Sequence, residues 1–253
     1  MLNNQQFINL IALGLLLIGA ESTIAQSIAN NSASIDRSIT HLSFEPPSDD
    51  QKPDNTSGAG SRQDQQCPQD SAPATPADTP SDKSSLMALV PTTNYGLTLA
   101  EHPTFWVYLP ETSAKQVVLS LTEEGTNHHS QTFFPITGEP GLLGIKPLDD
   151  SPPLEVGKSY QWAVVLVCGE RPGPNDPAIA SWVRRVAPPQ PMNQGTALEQ
   201  AVWYGEQGIW YDALTALAQA RRAQPDNKDL ADIWAGFLKS AGLEAIATEP
   251  LRF

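Results

Sequence analysis

The stretch Leu154-Glu155-Val156-Gly157-Lys158-Ser159-Tyr160 runs directly into Gln161-Trp162-Ala163-Val164-Val165-Leu166-Val167-Cys168. A Leu, a turn Gly and a Tyr six residues after the Leu, opening a long alternating strand, make the pattern of a tyrosine corner in sandwich domains. The Tyr ring packs at the sheet edge, and its hydroxyl bonds back to the backbone of the turn. Along the strand Tyr160, Trp162, Val164, Leu166 and Cys168 share one face, because side chains alternate with a period of two. So apolar a face needs a second layer to cover it. The corner therefore restricts this part of the chain to two-layer β architecture, and it leaves activity open, since such sandwiches host unrelated functions.

Other strands follow from the same alternation. In Pro103 to Pro110, Phe105, Val107 and Leu109 share one face, and Thr104, Trp106 and Tyr108 the other. Gln116 to Thr122 places Val117, Leu119 and Leu121 together. Glu123 to Asn127 is a turn, and Ser130 to Ile136 returns as a hairpin partner. Leu143 to Leu148 reads as a short strand, Ser181 to Val186 as the closing strand, and Gly96 to Ala100 as the first. Arg171 to Pro177 is a loop, where three prolines remove donors. The count reaches about seven, and the expectation is an immunoglobulin-like β-sandwich over residues 85–187.

Residues 188–195 form a Pro-rich linker, after which the apolar period changes from two to 3.6. Thr196 is placed to cap a helix to about Gln207, which Gly208 breaks. Trp210 to Ala223 spaces Leu214, Leu217, Ala220 and Arg221 for one face. Pro225 ends that helix. Asp226 is expected to cap a third helix to about Ser240, with Leu230, Ile233, Trp234 and Phe237 inward and Gly242 terminating it. Ala201, Tyr204, Ala213, Leu217, Ala220 and Pro225 fall at the small, aromatic and proline positions of a tetratricopeptide-type hairpin, which the helical unit 196–253 resembles. A plain three-helix cap fits equally well. A single copy cannot bury its own faces, so the third helix or the sandwich must cover them.

Residues 1–25 read as a signal peptide, with an apolar run from Phe7 to Ala20 and small residues at Thr23 and Ala25 before Gln26. No Lys or Arg precedes the run, so an uncleaved anchor is the alternative. No later segment is long and apolar enough to span a bilayer. Residues 26–84 are rich in Ser, Asp, Asn, Gln and Pro, and read as a disordered acidic linker. The chain has two cysteines, Cys67 and Cys168. In an exported protein they are expected to pair, closing a loop of about 100 residues worth at most ~4–5 kcal/mol by loop entropy. Export to the periplasm or cell envelope is the expected location. The formal net charge of −13 repels phosphate backbones, which argues against nucleic acid as a partner.

Catalytic groups are sparse. His102 follows Glu101 ahead of a strand, where its ordinary role is to bond local backbone. His128 and His129 are adjacent and would point to opposite faces of a strand. Asp149-Asp150 reads as a solvated loop. No Gly-x-Ser-x-Gly elbow and no phosphate-cradling loop is present, and no catalytic residue, metal or cofactor is expected. The aromatic residues Trp106, Tyr108, Tyr204, Trp210 and Trp234 are the candidate interaction surface. Trp106 and Tyr108 form either a platform for a sugar ring or the seat of the C-terminal helices. The seat is preferred, because Trp210 and Trp234 also need partners.

Three runs carry a family resemblance: Leu97 to Pro110, Pro153 to Cys168, and Gly208-Ile209-Trp210-Tyr211-Asp212-Ala213-Leu214. They resemble a cyanobacterial family of exported proteins catalogued as domain of unknown function 928, over about Leu86 to Leu251. The linker departs from the Gly/Arg-rich stretch associated with that family, which only Ser57 to Arg62 hints at. The resemblance implies a lineage and a compartment, and no reaction. The functional expectation is thus a non-catalytic exported module that binds another envelope protein. A carbohydrate-binding module for envelope glycans is the first alternative, and a hydrolase without a recognisable motif the second.

Overall fold

The computed structural model describes residues 41–46, 66–70, 85–126, 129–188 and 195–252. The expected signal peptide, most of the expected linker and the prolines after Pro188 lie outside the described residues. Two sheets face each other. One has the order β1-β3-β6-β9, from β1 (Met87–Ala88), β3 (Phe105–Leu109), β6 (Gly141–Ile145) and β9 (Leu251–Arg252). The other has the order β2-β8-β7-β4-β5, from β2 (Tyr95–Thr98), β4 (Gln116–Glu123), β5 (His129–Pro135), β7 (Ser159–Val167) and β8 (Ala178–Arg185). Pairing is antiparallel except for β2 on β8 and β6 on β9.

The tyrosine corner is present: the Glu155 N–H donates to the Tyr160 hydroxyl at 3.0 Å. Tyr160, Trp162, Val164 and Leu166 on β7 are all buried, as the alternation requires. Phe105 packs on Trp162 with ring centroids 4.9 Å apart, so the two sheets meet through aromatic rings.

Among the described residues there are nine strands where seven were expected. The additional two, β1 and β9, are two residues each, too short for any alternation to be read. The sixth strand begins at Gly141 and ends at Ile145 rather than running from Leu143 to Leu148; Leu148 itself is exposed. Arg185 ties the end of β8 to neighbouring loops. Its guanidinium binds Glu101 at 3.1 Å and the carbonyls of Leu99 and Leu154.

Three helices follow: α1 (Ala197–Glu206), α2 (Trp210–Ala223) and α3 (Lys228–Ser240). Thr196 and Glu199 form a reciprocal capping box at the start of α1. The cap of α3 is Asn227, whose side chain accepts from Leu230 N–H, and not the expected Asp226, which lies one residue too early to reach it. At the end of α3, Gly242 has φ +80°, and Leu243 N–H returns to the Leu238 carbonyl while Gly242 N–H returns to that of Lys239. This is the Schellman arrangement, which satisfies carbonyls that the helix end leaves open.

The division into a sandwich and a separate helical unit does not hold. Residues from His41 onward form one compact unit, and α2 closes the sandwich. Tyr211, 1 % exposed, places its ring 5.5 Å from Phe105 of one sheet and 6.5 Å from Trp162 of the other. Its hydroxyl accepts from Trp162 Nε1 at 2.7 Å and donates to the Trp182 carbonyl at 2.9 Å. Gly96 on β2 makes the approach feasible: a Cβ there would stand 3.0 Å from both Trp210 Cβ and Tyr211 Cε2. The C-terminus then returns as β9 to extend the first sheet. Helix and sheet therefore share one core.

Two pieces of the expected linker also belong to this unit. Leu42 and Phe44 are buried, and Phe44 packs edge-on against Trp210 at 4.9 Å. Cys67 is bonded to Cys168. Asp70 accepts from the Thr112 hydroxyl and from the Ser113 N–H, and Gln69 donates to the Cys168 carbonyl. These tie residues 66–70 to the end of β7.

Candidate functional site

Where α1 and α2 meet the end of β2, an open cleft of about 280 Å³ remains. Its sheet side is built from Thr98, Ala100, His102, Pro103 and Thr104, with Lys146 beyond β6. Its helix side is built from Gln200 and Tyr204 on α1 and from Asp212, Thr215 and Gln219 on α2. The volume is near the lower limit for ligand pockets. It suits one long side chain or one sugar ring.

Asp212 is the most perturbed acid lining the cleft. It lies in the first turn of α2, where no side chain caps the helix. One carboxylate oxygen accepts from the Thr98 hydroxyl at 2.7 Å and from Leu99 N–H at 3.1 Å. Burial nevertheless outweighs these bonds and pushes the carboxyl up to about 6, because a charge removed from water loses its solvation. The Tyr204 hydroxyl is also raised, first by burial and then by the charge of Asp212. The cleft thus holds one carboxyl with a raised pKa, among the hydrogen-bonding groups of Thr98, Gln200, Tyr204, Thr215 and Gln219 and with Lys146 on its sheet side.

His102 Nε2 donates to the Ser151 carbonyl at 2.9 Å. It fixes the loop after β6, so its partner is backbone as expected, but backbone 49 residues away rather than local. Lys146 pairs with Asp149 at 3.1 Å, both well exposed. Exposed Leu148 stands two residues beyond Lys146, on the loop at this rim. Among the described residues, no three His, Cys, Asp or Glu side chains gather to hold a metal, and no helix is long and apolar enough to cross a membrane. The side chains of His128 and His129 are outside the described residues.

The five aromatic candidates do not form a surface. Trp106, Tyr108, Tyr204, Trp210 and Trp234 are all buried. Two of them lie in the seam between helices and sandwich: Trp106 Nε1 donates to Thr215 Oγ1 on α2 at 3.1 Å, and Trp210 Nε1 donates to the Leu89 carbonyl at 2.9 Å. Trp106 is therefore the seat of the helices rather than a sugar platform. Of the five, Tyr204 alone lines the cleft.

Sequence reading missed Asp212. A carboxylate in the first turn of a helix is the ordinary partner of the helix dipole, so nothing in its local pattern marks it. Its partners Thr98 and Leu99 lie more than a hundred residues upstream. The one available signal was that Asp212 falls inside Gly208 to Leu214, among the runs that carry the family resemblance.

This is a two-sheet β-sandwich-like fold whose open side is closed by C-terminal helices. The family model described as Domain of Unknown Function (DUF928) matches residues 57–251, and the chain belongs to that family. No curated protein matches it. Among solved structures, one similar chain is the fn3 domain of human collagen alpha-1(XX) chain, at 15% identity and a TM-score of 0.26, covering 48% of this chain and 95% of that one. The sandwich is defined here by its own sheets.

Proposed function

We propose that the protein is an exported, non-catalytic binding module of the periplasm or cell envelope, of cyanobacterial lineage, whose cleft receives a basic side chain from a partner protein. The observation that carries this reading is the Asp212 carboxyl on the cleft wall, beside Tyr204 and flanked by Gln200, Thr215 and Gln219. A Lys or Arg entering the cleft gains a charge-assisted bond to Asp212 and draws its carboxyl back toward the ionised form. The net charge of −13 steers a basic partner toward the chain. The Cys67–Cys168 bridge supports an oxidising compartment. The tetratricopeptide-type reading of α1 and α2 supports a protein partner.

The test is photocrosslinking in cells from Gln219, an exposed residue at the cleft, with Phe133 on β5 as the distant control. A discrete adduct from Gln219 that disappears in Asp212→Asn supports the reading. Adducts equal from both positions, or unaffected by Asp212→Asn, reject it.

The glycan reading keeps one specific support. Thr104, Thr215, Gln200 and Gln219 line the cleft with neutral hydrogen-bonding groups, the complement of sugar hydroxyls. A glycan array with no signal above background removes it.

A further inference from the structure

The segment His41–Pro46 has neither helix nor strand, yet its burial alternates as an extended peptide's does: His41 is exposed, Leu42 buried, Ser43 half-buried, Phe44 buried and Glu45 exposed. It lies in a groove of the helices. The Phe44 ring meets Trp210 at 4.9 Å and Phe237 at 6.4 Å, both edge-on. Trp210 and Phe237 stack on each other at 5.0 Å and form the groove floor. Leu42 lies over Gly205 of α1, where a Cβ would come within 2.8 Å of its Cδ1. Phe44 N–H donates to Ser240 Oγ at 3.0 Å. Two apolar side chains one residue apart, plus a backbone bond, are how grooves recognise extended peptides.

We infer that this groove is a binding site for an extended Leu-x-Phe peptide of a partner protein, and that His41–Pro46 occupies it in cis as a competitor. This inference rests on the seated segment and stands apart from the reading of the cleft. The occupant is remote in sequence, 196 residues from its Ser240 partner. Its next covalent anchor in the fold is the Cys67–Cys168 bridge. Twenty-three residues of sequence separate Phe44 from Cys67, a contour length of at most about 80 Å. Because the segment belongs to the same chain, it competes with a partner's peptide intramolecularly. A partner must exceed that competition or carry a better-fitting peptide. The groove specifies the chemistry: a Leu seated over Gly205, an aromatic ring against Trp210 and Phe237, and a free N–H at the aromatic residue for Ser240.

The experiment measures fluorescence anisotropy of a labelled peptide with the sequence of residues 38–47, added to the full chain and to its Leu42→Ser/Phe44→Ser variant, with folding followed by circular dichroism. The inference expects saturable binding to the folded variant, competition by unlabelled peptide, and no binding of a peptide with both apolar positions changed to Ala. It expects about tenfold or weaker binding to the unaltered chain, whose own segment competes. A folded variant that does not bind the peptide overturns it. A double variant that fails to fold also overturns it, because the segment is then part of the core. Phe44→Ala alone provides the second reading: it folds and binds if the groove is exchangeable, and unfolds or does not bind if it is not. Concentration-dependent dimers of the unaltered chain, abolished in the double variant, would assign the groove to a second copy instead of a partner protein.

Discussion

Tyr211→Phe removes a single oxygen atom and tests whether α2 is part of the sandwich core. That hydroxyl accepts from Trp162 Nε1 and donates to the Trp182 carbonyl. Trp162 is fully buried, so no water replaces the lost acceptor. Leaving a buried donor unsatisfied costs about 1–3 kcal/mol, and losing the bond to the carbonyl about 0.5–1.5 kcal/mol more. The ring remains, so its packing on Phe105 is retained. The sum is about 2–4 kcal/mol. With a urea slope of about 2 kcal/mol per molar, the unfolding midpoint falls by about 1–2 M. Tryptophan fluorescence follows the transition, and a double-mutant cycle with Trp162→Phe isolates the pair, with a coupling of at least about 1 kcal/mol. A Tyr211→Phe chain within about 0.5 kcal/mol of the unaltered one, with no coupling, would refute the reasoning.

Asp212 makes stability depend on pH. Its folded carboxyl is raised to about 6 from the ordinary 3.8, so the folded state binds the extra proton and the group's contribution is full below about pH 4 and lost as pH rises through about 6. Over that window stability should fall by up to about 3 kcal/mol, and Asp212→Asn should flatten the slope in urea titrations at several pH values. Reducing the Cys67–Cys168 bridge should lower stability by about 2–5 kcal/mol, measured by unfolding with and without a thiol reductant. Gly242→Ala should cost about 1–2 kcal/mol in the same assay, because φ +80° disfavours a side chain and the added methyl would stand 2.8 Å from Thr92 Cγ2.

Features written locally were legible. The tyrosine corner, the faces of β3, β4 and β7 and the bounds of α2 follow from alternation, turn glycines and helical spacing. The Thr196–Glu199 capping box lies within four residues, so Thr196 could be named as a cap. What was not legible depends on long-range contact. In the sequence Trp106 and Trp210 are candidates both for an interaction surface and for the seat of the helices, and only the docking of α2 shows the bonds that make them the seam. Leu42 and Phe44 stand in a stretch of polar composition; their alternation is two residues long, too short to outweigh it. Asp212 acquires its character from Thr98 and Leu99, which no spacing rule connects to it. The candidate site was thus hidden for the reason the domain division failed: both depend on where the helices dock.

That the helices close the sandwich, rather than forming a unit of their own, is the claim on which the cleft and its function both depend. Native-state hydrogen exchange tests it most directly, by comparing amides in the middle of β7, such as Val164, with amides in the middle of α2, such as Leu217. The account predicts opening free energies equal within about 1 kcal/mol and lowered together by Tyr211→Phe, as for one cooperative unit. Exchange from α2 through an opening several kcal/mol cheaper than that of β7, and indifferent to the Tyr211 hydroxyl, would contradict it.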